Sequence, residues 1–246
     1  MNKTGTYKFT IDSYLTDFQG KVTLSFMVNL LMHVATRHAD ERGFGYSYVR
    51  SLNRAWVLSR LVIEMYEYPT IDSEISITTW VAGVNKFFTE RHFSFRNADN
   101  KTVGHAKSIW ASINVATRRP ENVMEMYGLT DFVTEGENPI QNIRKIPQLK
   151  DRQPVGKFTV RYSDIDINNH LNSVKYVEHF VDMFDVQRFN KMEIRRMEIH
   201  FASEAIFGQR LFLLKKEEEQ NVFALEMRDE AKLISAARIT WAEHIL

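Results

Sequence analysis

The chain of 246 residues contains no cysteine. This absence excludes disulfide bonds, zinc sites built from thiolates, iron–sulfur clusters and a cysteine nucleophile. Any chemistry that the protein performs must therefore proceed without a thiol.

An excess of charge of either sign is also missing. The chain has 32 Lys and Arg against 31 Asp and Glu, a net charge of +1, whereas nucleic-acid-binding domains are normally strongly basic. No stretch of about 18 apolar residues occurs, and the N-terminal residues lack an apolar segment. We therefore expect a globular cytoplasmic protein that neither binds nucleic acid nor spans a membrane.

Proline is scarce, and its positions predict the domain organisation. Four of the five prolines lie at positions 120, 139, 147 and 154. Residues 121–157 also contain three glycines and show no sustained helical or strand periodicity. We predict a linker over residues 121–157 that separates an N-terminal unit, 1–120, from a C-terminal unit, 158–246.

Each unit contains a segment with apolar residues at helical spacing. The spacing predicts helices over residues 24–40 and 172–189, and either Asn172 or Ser173 can cap the second helix. Because the same type of helix occurs in both units, an internal repeat is indicated.

Strand-like segments follow each predicted helix and align in pairs between the units. The pairs are 56–65 with 192–201 and 101–110 with 232–241. The pattern predicts an α+β fold in which one helix and four or five antiparallel strands are used twice. A strongly apolar helix followed by a meander is best buried by a curved sheet wrapped around that helix.

The densest polar cluster lies just before the second predicted helix, within residues 161–172. Asp166, Asn168 and His170 bring a carboxylate, an amide and an imidazole together within five residues. The N–H groups at a helix start can stabilise an oxyanion, so the cluster suits acyl transfer to water. Asp and Asn are also common turn and cap residues, which gives each position alone a structural explanation.

The first unit does not repeat this triplet. When Asp17 is aligned with Asp166, Gln19 and Lys21 take the places of Asn168 and His170. We therefore expect the second unit to carry the chemistry, while the first unit offers apolar and packing residues.

Three other kinds of site are disfavoured by the pattern. Residues 164–175 begin like a calcium loop, but Asn169 stands where glycine is needed and Lys175 where a bidentate glutamate belongs. The histidines show no zinc-ligand spacing. A serine-hydrolase elbow at Ser47 fails because Val49 replaces the second glycine.

Two motifs carry a family resemblance. They are Trp-Val-Leu-Ser-Arg-Leu-Val-Ile-Glu at 56–64 and Tyr-Ser-Asp-Ile-Asp-Ile-Asn-Asn-His-Leu-Asn-Ser-Val-Lys-Tyr at 162–176. In these motifs, and over nearly the whole chain, the sequence resembles the acyl-acyl carrier protein thioesterases, the fatty acyl-releasing enzymes of plant plastids and their bacterial relatives. We expect a bacterial member.

The resemblance implies a tandem, or double, hot-dog fold. It also implies an enzyme that uses neither a metal nor an organic cofactor. It implies hydrolysis of fatty acyl thioesters on acyl carrier protein in fatty acid biosynthesis. It places the catalytic residues of the family on Asp166, Asn168, His170 and Glu204. Many plant members have a cysteine directly after that glutamate, but here Ala205 occupies the position, so a thiol mechanism cannot operate.

The resemblance also implies roles. Asp166 would attack the thioester or activate water, with both options open, while Asn168 and His170 would hold the carbonyl and orient Asp166. Glu204 would position or deprotonate the hydrolytic water, and the first unit would enclose the acyl chain. Two alternatives stay open, an acyl-CoA thioesterase and a non-catalytic acyl-binding hot-dog protein. The acyl chain length and the oligomeric state, including a homodimer, are not fixed by the sequence.

Overall fold

The computed structural model describes residues 2–126, 128–141, 143, 145–150 and 153–244. The chain divides into two compact units, Met1–Gln141 and Asn142–Leu246, called here the first and the second unit. The division falls inside the predicted linker, 121–157.

In its described residues the first unit holds five antiparallel strands and two α-helices. The strands are β1 (Thr4–Thr10), β2 (Arg54–Met65), β3 (Glu74–Val84), β4 (Phe88–Asn97) and β5 (Thr102–Asn114), and the helices are α1 (Leu24–Asp40) and α2 (Tyr46–Ser51). The strands lie in the order β1-β3-β4-β5-β2. One strand thus precedes the long helix, and four follow it.

The second unit repeats this arrangement over the part that the structure describes. Its strands are β6 (Gly156–Thr159), β7 (Met192–Phe201), β8 (Arg210–Glu219), β9 (Val222–Arg228) and β10 (Leu233–Glu243), and its helices are α3 (Ser173–Val181) and α4 (Val186–Phe189). The strands lie in the order β6-β8-β9-β10-β7. Since each strand of one unit has a counterpart in the other, the predicted α+β repeat is confirmed.

Helix α1 has the bounds that its apolar pattern predicts. Thr23 caps its start, because its hydroxyl oxygen accepts a hydrogen bond from the backbone N–H of Phe26 at 3.2 Å. Its buried face consists of Leu24, Met27, Val28, Leu30, Leu31, Val34, Ala35, His38 and Ala39. The alternating residues Ile75, Ile77, Thr79 and Val81 of β3 are buried as well. Both periodicities therefore serve the core of the first unit.

The predicted helix over 172–189 is wrong in its length. Asn172 caps α3 by accepting from the N–H of Val174 at 2.9 Å, but the helix ends at Val181. Phe184 leaves the helical path and packs edge-to-face against Phe223 and Trp241, with ring centroids 5.0 Å away in each case. Tertiary packing overrides local helix propensity here, and α4 starts anew at Val186.

Part of the predicted linker is packed rather than exposed. Val123 and Leu129 are fully buried in an apolar cluster of the first unit. In the second unit the Glu226 carboxylate, 1% exposed, accepts from the backbone N–H of Leu149 at 2.6 Å and from the Arg228 guanidinium at 3.0 Å. A buried carboxylate needs such partners, so these bonds fasten the segment around Leu149.

The core of the first unit contains a buried imidazole and a buried guanidinium. His38 Nδ1 lies 3.0 Å from Arg91 Nη1, and His38 Nε2 lies 3.1 Å from the carbonyl oxygen of Lys3. Because arginine only donates, Nδ1 must accept and Nε2 must carry the hydrogen. Burial, followed by the charges of Arg91 and Arg42, lowers the pKa of His38 from about 6.5 to about 3. His38 is therefore neutral in the folded protein at ordinary pH.

This lowered pKa predicts an acid-sensitive stability. In the unfolded chain His38 is protonated below about pH 6.5, whereas in the folded chain it is protonated only below about pH 3. Folding stability must therefore fall as the pH drops through this window, by up to about 1.4 kcal/mol per pH unit from this group. We expect His38→Gln, which keeps an acceptor and a donor but cannot titrate, to flatten the slope of unfolding free energy between pH 6.5 and pH 4.5.

Urea unfolding at several pH values measures this slope. His33→Gln is the matched control, because His33 lies on the exposed face of α1. The explanation is wrong if His38→Gln keeps the wild-type slope, or if His33→Gln flattens it equally.

Candidate active site

Asp166 organises the turn that precedes α3. Its Oδ1 accepts hydrogen bonds from the backbone N–H groups of Asn168 at 2.8 Å and His170 at 3.3 Å. Its own N–H donates to the carbonyl oxygen of His170 at 2.8 Å, which closes the turn. Asn169 has a φ of 61°, in the left-handed region that asparagine tolerates better than most residues. The backbone of this turn is therefore fixed by one carboxylate.

The turn lies beside the segment that carries Glu204. The N–H of Leu171 donates to the carbonyl oxygen of Ala205 at 2.8 Å, and His170 forms a backbone bridge with Ile206. This alignment places His170 Nε2 3.4 Å from Glu204 Oε2. The two side chains are 22% and 38% exposed, so both remain accessible to a substrate.

The four predicted site residues thus have different positions. His170 and Glu204 are in contact, and the half-buried Asp166 holds the backbone beneath His170. Asn168 is exposed, and its backbone N–H is part of the turn. All four belong to the second unit, and α3 begins three residues after His170.

Tyr176 is a further residue of this region, which the sequence reasoning did not assign to the site. It is 4% exposed, and its hydroxyl donates to the carbonyl oxygen of Ser203 at 3.5 Å, next to Glu204. Burial above all, and then the negative charge of Asp166, raises the pKa of Tyr176 above its usual value. The repeat offers one sequence signal for Tyr176. The matching position of the first unit, four residues after the cap of α1, is the apolar Met27, so the hydroxyl occurs in the second unit alone.

The first unit contains the same turn. Asp17 Oδ1 accepts from the N–H groups of Gln19 at 2.8 Å and Lys21 at 3.1 Å, and the N–H of Asp17 donates to the carbonyl oxygen of Lys21 at 2.8 Å. Gly20, with a φ of 71°, takes the place of Asn169. The backbone bonds of the two turns therefore align Asp17 with Asp166.

The partner segment is duplicated too. The N–H of Val22 donates to the carbonyl oxygen of Pro69 at 2.8 Å, as that of Leu171 does to Ala205. Tyr68 therefore stands where the second unit has Glu204. The two turns share their backbone bonds and their aspartate but differ in the side chains that surround it.

A cavity of about 290 Å³ lies in the described part of the first unit, with charged and apolar walls. Glu90, Ile109 and Arg60 are cross-strand neighbours within its lining. Arg91 contacts His38 of α1, so the adjacent Glu90 points to the opposite face of the sheet. The cavity therefore lies on the face away from α1, and the place of an acyl chain stays a prediction.

The described residues show neither a metal-binding cluster nor a membrane-spanning helix. In that part of the chain, no group of three or more His, Asp and Glu side chains is arranged to hold a metal ion. In the same residues, no helix has both the length and the apolar character that a membrane crossing requires.

Family models match both halves of the chain. The acyl-ACP thioesterase N-terminal domain matches residues 2–128, and the acyl-ACP thioesterase C-terminal domain matches residues 148–243. All four predicted site residues fall in the C-terminal match.

Curated plant relatives are about one quarter identical to the chain and are longer than it. Oleoyl-acyl carrier protein thioesterase 2, chloroplastic, from Arabidopsis thaliana is 26% identical over 220 residues, which cover 80% of this chain and 58% of that protein. The palmitoyl-acyl carrier protein thioesterase, chloroplastic, of the same plant is 26% identical over 213 residues, which cover 80% of this chain and 51% of that one. The chain spans between half and three fifths of the length of these relatives.

Solved structures match nearly the whole chain. An acyl-ACP thioesterase from Bacteroides thetaiotaomicron has a TM-score of 0.92 and 35% identity, with 98% of each chain covered. The 12:0-ACP thioesterase from Umbellularia californica has a TM-score of 0.90 at 20% identity, with 99% of each chain covered, and supports the fold. The repeated units form the predicted double hot-dog fold, and the chain belongs to the acyl-ACP thioesterase family.

Proposed function

We propose that the protein hydrolyses the thioester of a fatty acyl chain on acyl carrier protein to a free fatty acid and the carrier thiol. The observation that carries the proposal is the contact of His170 with Glu204 at 3.4 Å, in the half that matches the C-terminal domain of the family. An imidazole against a carboxylate at an accessible position is suited to acid–base work on water.

The proposed site consists of Asp166, Asn168, His170 and Glu204. Either carboxylate could act on water or on the thioester, and His170 orients Glu204 through their contact. The N-terminus of α3, three residues beyond His170, supplies the positive end of a helix dipole for the oxyanion. No metal or organic cofactor is part of this proposal.

The rest of the proposal concerns substrate and setting. The first unit has Gln19 and Lys21 in its turn and Tyr68 in the facing segment, where the second unit has the reactive set. Its role in this proposal is to enclose the acyl chain, as the family resemblance implies. Acyl carrier protein is the partner, and the enzyme acts in the cytoplasm in fatty acid biosynthesis, as the family resemblance implies. The alternatives of an acyl-CoA thioesterase and of an acyl-binding protein are outcomes of the test below.

The first test compares carriers. We expect kcat/KM for an acyl chain on acyl carrier protein to exceed that for the same chain on CoA by at least about tenfold, because a protein carrier adds contacts and steered encounter. A thiol-reactive chromophore measures the released thiol, and the enzyme has no cysteine to add background. Equal or faster turnover of acyl-CoA would favour a CoA thioesterase, and binding without turnover of either would favour a binding protein.

The second test concerns the location of the site. We expect His170→Ala and Glu204→Ala each to lower kcat by about a hundredfold or more, the scale for losing an acid–base group or its partner. Lys21→Ala, at the matching place of the first unit, is the control and should keep kcat within about threefold. A folded Glu204→Ala enzyme with the parent rate would refute the role given to Glu204.

A further inference from the structure

We propose that the two carboxylates of the site divide the work. Asp166 is a positioning residue that anchors the turn, and Glu204 is the base that acts on water. This inference rests on the proposed thioester hydrolysis and assigns roles within that same site.

The role of Asp166 follows from the duplication. Its Oδ1 accepts the same two backbone hydrogen bonds, two and four residues ahead, that Asp17 accepts in the first unit. In both turns the aspartate N–H donates to the carbonyl oxygen four residues on, at 2.8 Å. The first unit keeps all of this although its turn carries Gln19 and Lys21. The turn alone therefore accounts for an aspartate at this place.

Chemistry should reside where the two units differ. His170 replaces Lys21, Glu204 replaces Tyr68, and Tyr176 replaces Met27. The replacements in the second unit converge, because His170 contacts Glu204 at 3.4 Å and the Tyr176 hydroxyl bonds to the backbone of Ser203 beside it. These replacements thus meet at Glu204 and at the backbone next to it.

The reaction step then balances without a covalent intermediate. The Glu204 carboxylate takes a proton from water while the water oxygen bonds to the thioester carbonyl carbon. The resulting oxyanion collapses, the carbon–sulfur bond breaks, and its electron pair leaves on sulfur. The thiolate takes the proton from Glu204, which restores the carboxylate, and the fatty acid is released.

The test separates an acceptor oxygen from a charged carboxylate. Asp166→Asn keeps an Oδ1 acceptor for the N–H groups of Asn168 and His170 but removes the charge, whereas Asp166→Ala removes both. We expect Asp166→Asn to lower kcat by about tenfold or less, and Asp166→Ala and Glu204→Gln to lower it by about a hundredfold or more. KM for the carrier substrate should change little in Asp166→Asn.

The pH profile adds a readout that a structural role alone would not move. The ionisable groups near Glu204 are His170, which contacts it, and Tyr176, whose hydroxyl bonds to the carbonyl oxygen of the adjacent Ser203. Asp166 lies in the turn of His170 and is near enough to Tyr176 to affect it. If Glu204 is the base, the acid limb of kcat/KM persists in Asp166→Asn and disappears from the residual activity of Glu204→Gln. Asp166→Asn as slow as Asp166→Ala, with Glu204→Gln still active, would overturn the assignment.

The anchoring role can be tested without turnover, so its failure is separable from failure of the proposed function. Asp17→Ala and Asp166→Ala should both lower the melting temperature, and the two Asp→Asn variants should recover most of the loss. An Asp166→Ala protein as stable as the wild type would contradict the anchor even if the enzyme hydrolyses acyl carrier protein thioesters. Wild-type protein inactive on every acyl thioester would instead refute the proposed function.

Discussion

The candidate site depends on two hydrogen bonds, which one oxygen of Asp166 accepts from two backbone N–H groups. A hydrogen bond to a charged group contributes about 1.5–3 kcal/mol, and Asp166 makes two of them within four residues. They set the direction in which the chain leaves His170 for α3. The backbone bridge from His170 to Ile206 then aligns the neighbouring segment. Glu204, two residues before Ile206, is thereby brought to the His170 side chain.

The same constraint operates in the first unit with other side chains around it. Two turns with equal backbone bonds show that a scaffold and its chemistry are separable in this fold. The scaffold needs a carboxylate at its start and a residue that tolerates the left-handed region, Gly20 or Asn169. It leaves the following residue and the facing segment open to change, and it is there that the second unit has an imidazole and a carboxylate.

The sequence predicts those features that local patterns decide. Helix α1 is predicted to the residue because its apolar face alone marks both ends, and the structure adds Thr23 as its cap. The second helix is predicted too long, because the turn at Phe184 comes from its packing against Phe223 and Trp241 on distant strands. Local periodicity carries no information about such contacts.

The candidate site divides in the same way. Asp166, Asn168 and His170 are visible as a cluster because they share one short segment. Glu204 is distant in the chain, so only the family resemblance singles it out before the structure brings it to His170. The sequence does not single out Tyr176, because a buried aromatic residue on a helix is normally a core residue and its polar bond becomes visible only in the fold.

The most direct test of the division between the two carboxylates is a crystal structure of the protein bound to acyl carrier protein with an amide in place of the thioester. The account predicts a water molecule hydrogen-bonded to Glu204 and about 3–3.5 Å from the acyl carbonyl carbon, with Asp166 still accepting from the turn. An Asp166 oxygen at that distance from the carbonyl carbon, with no water between Glu204 and the acyl group, would contradict it.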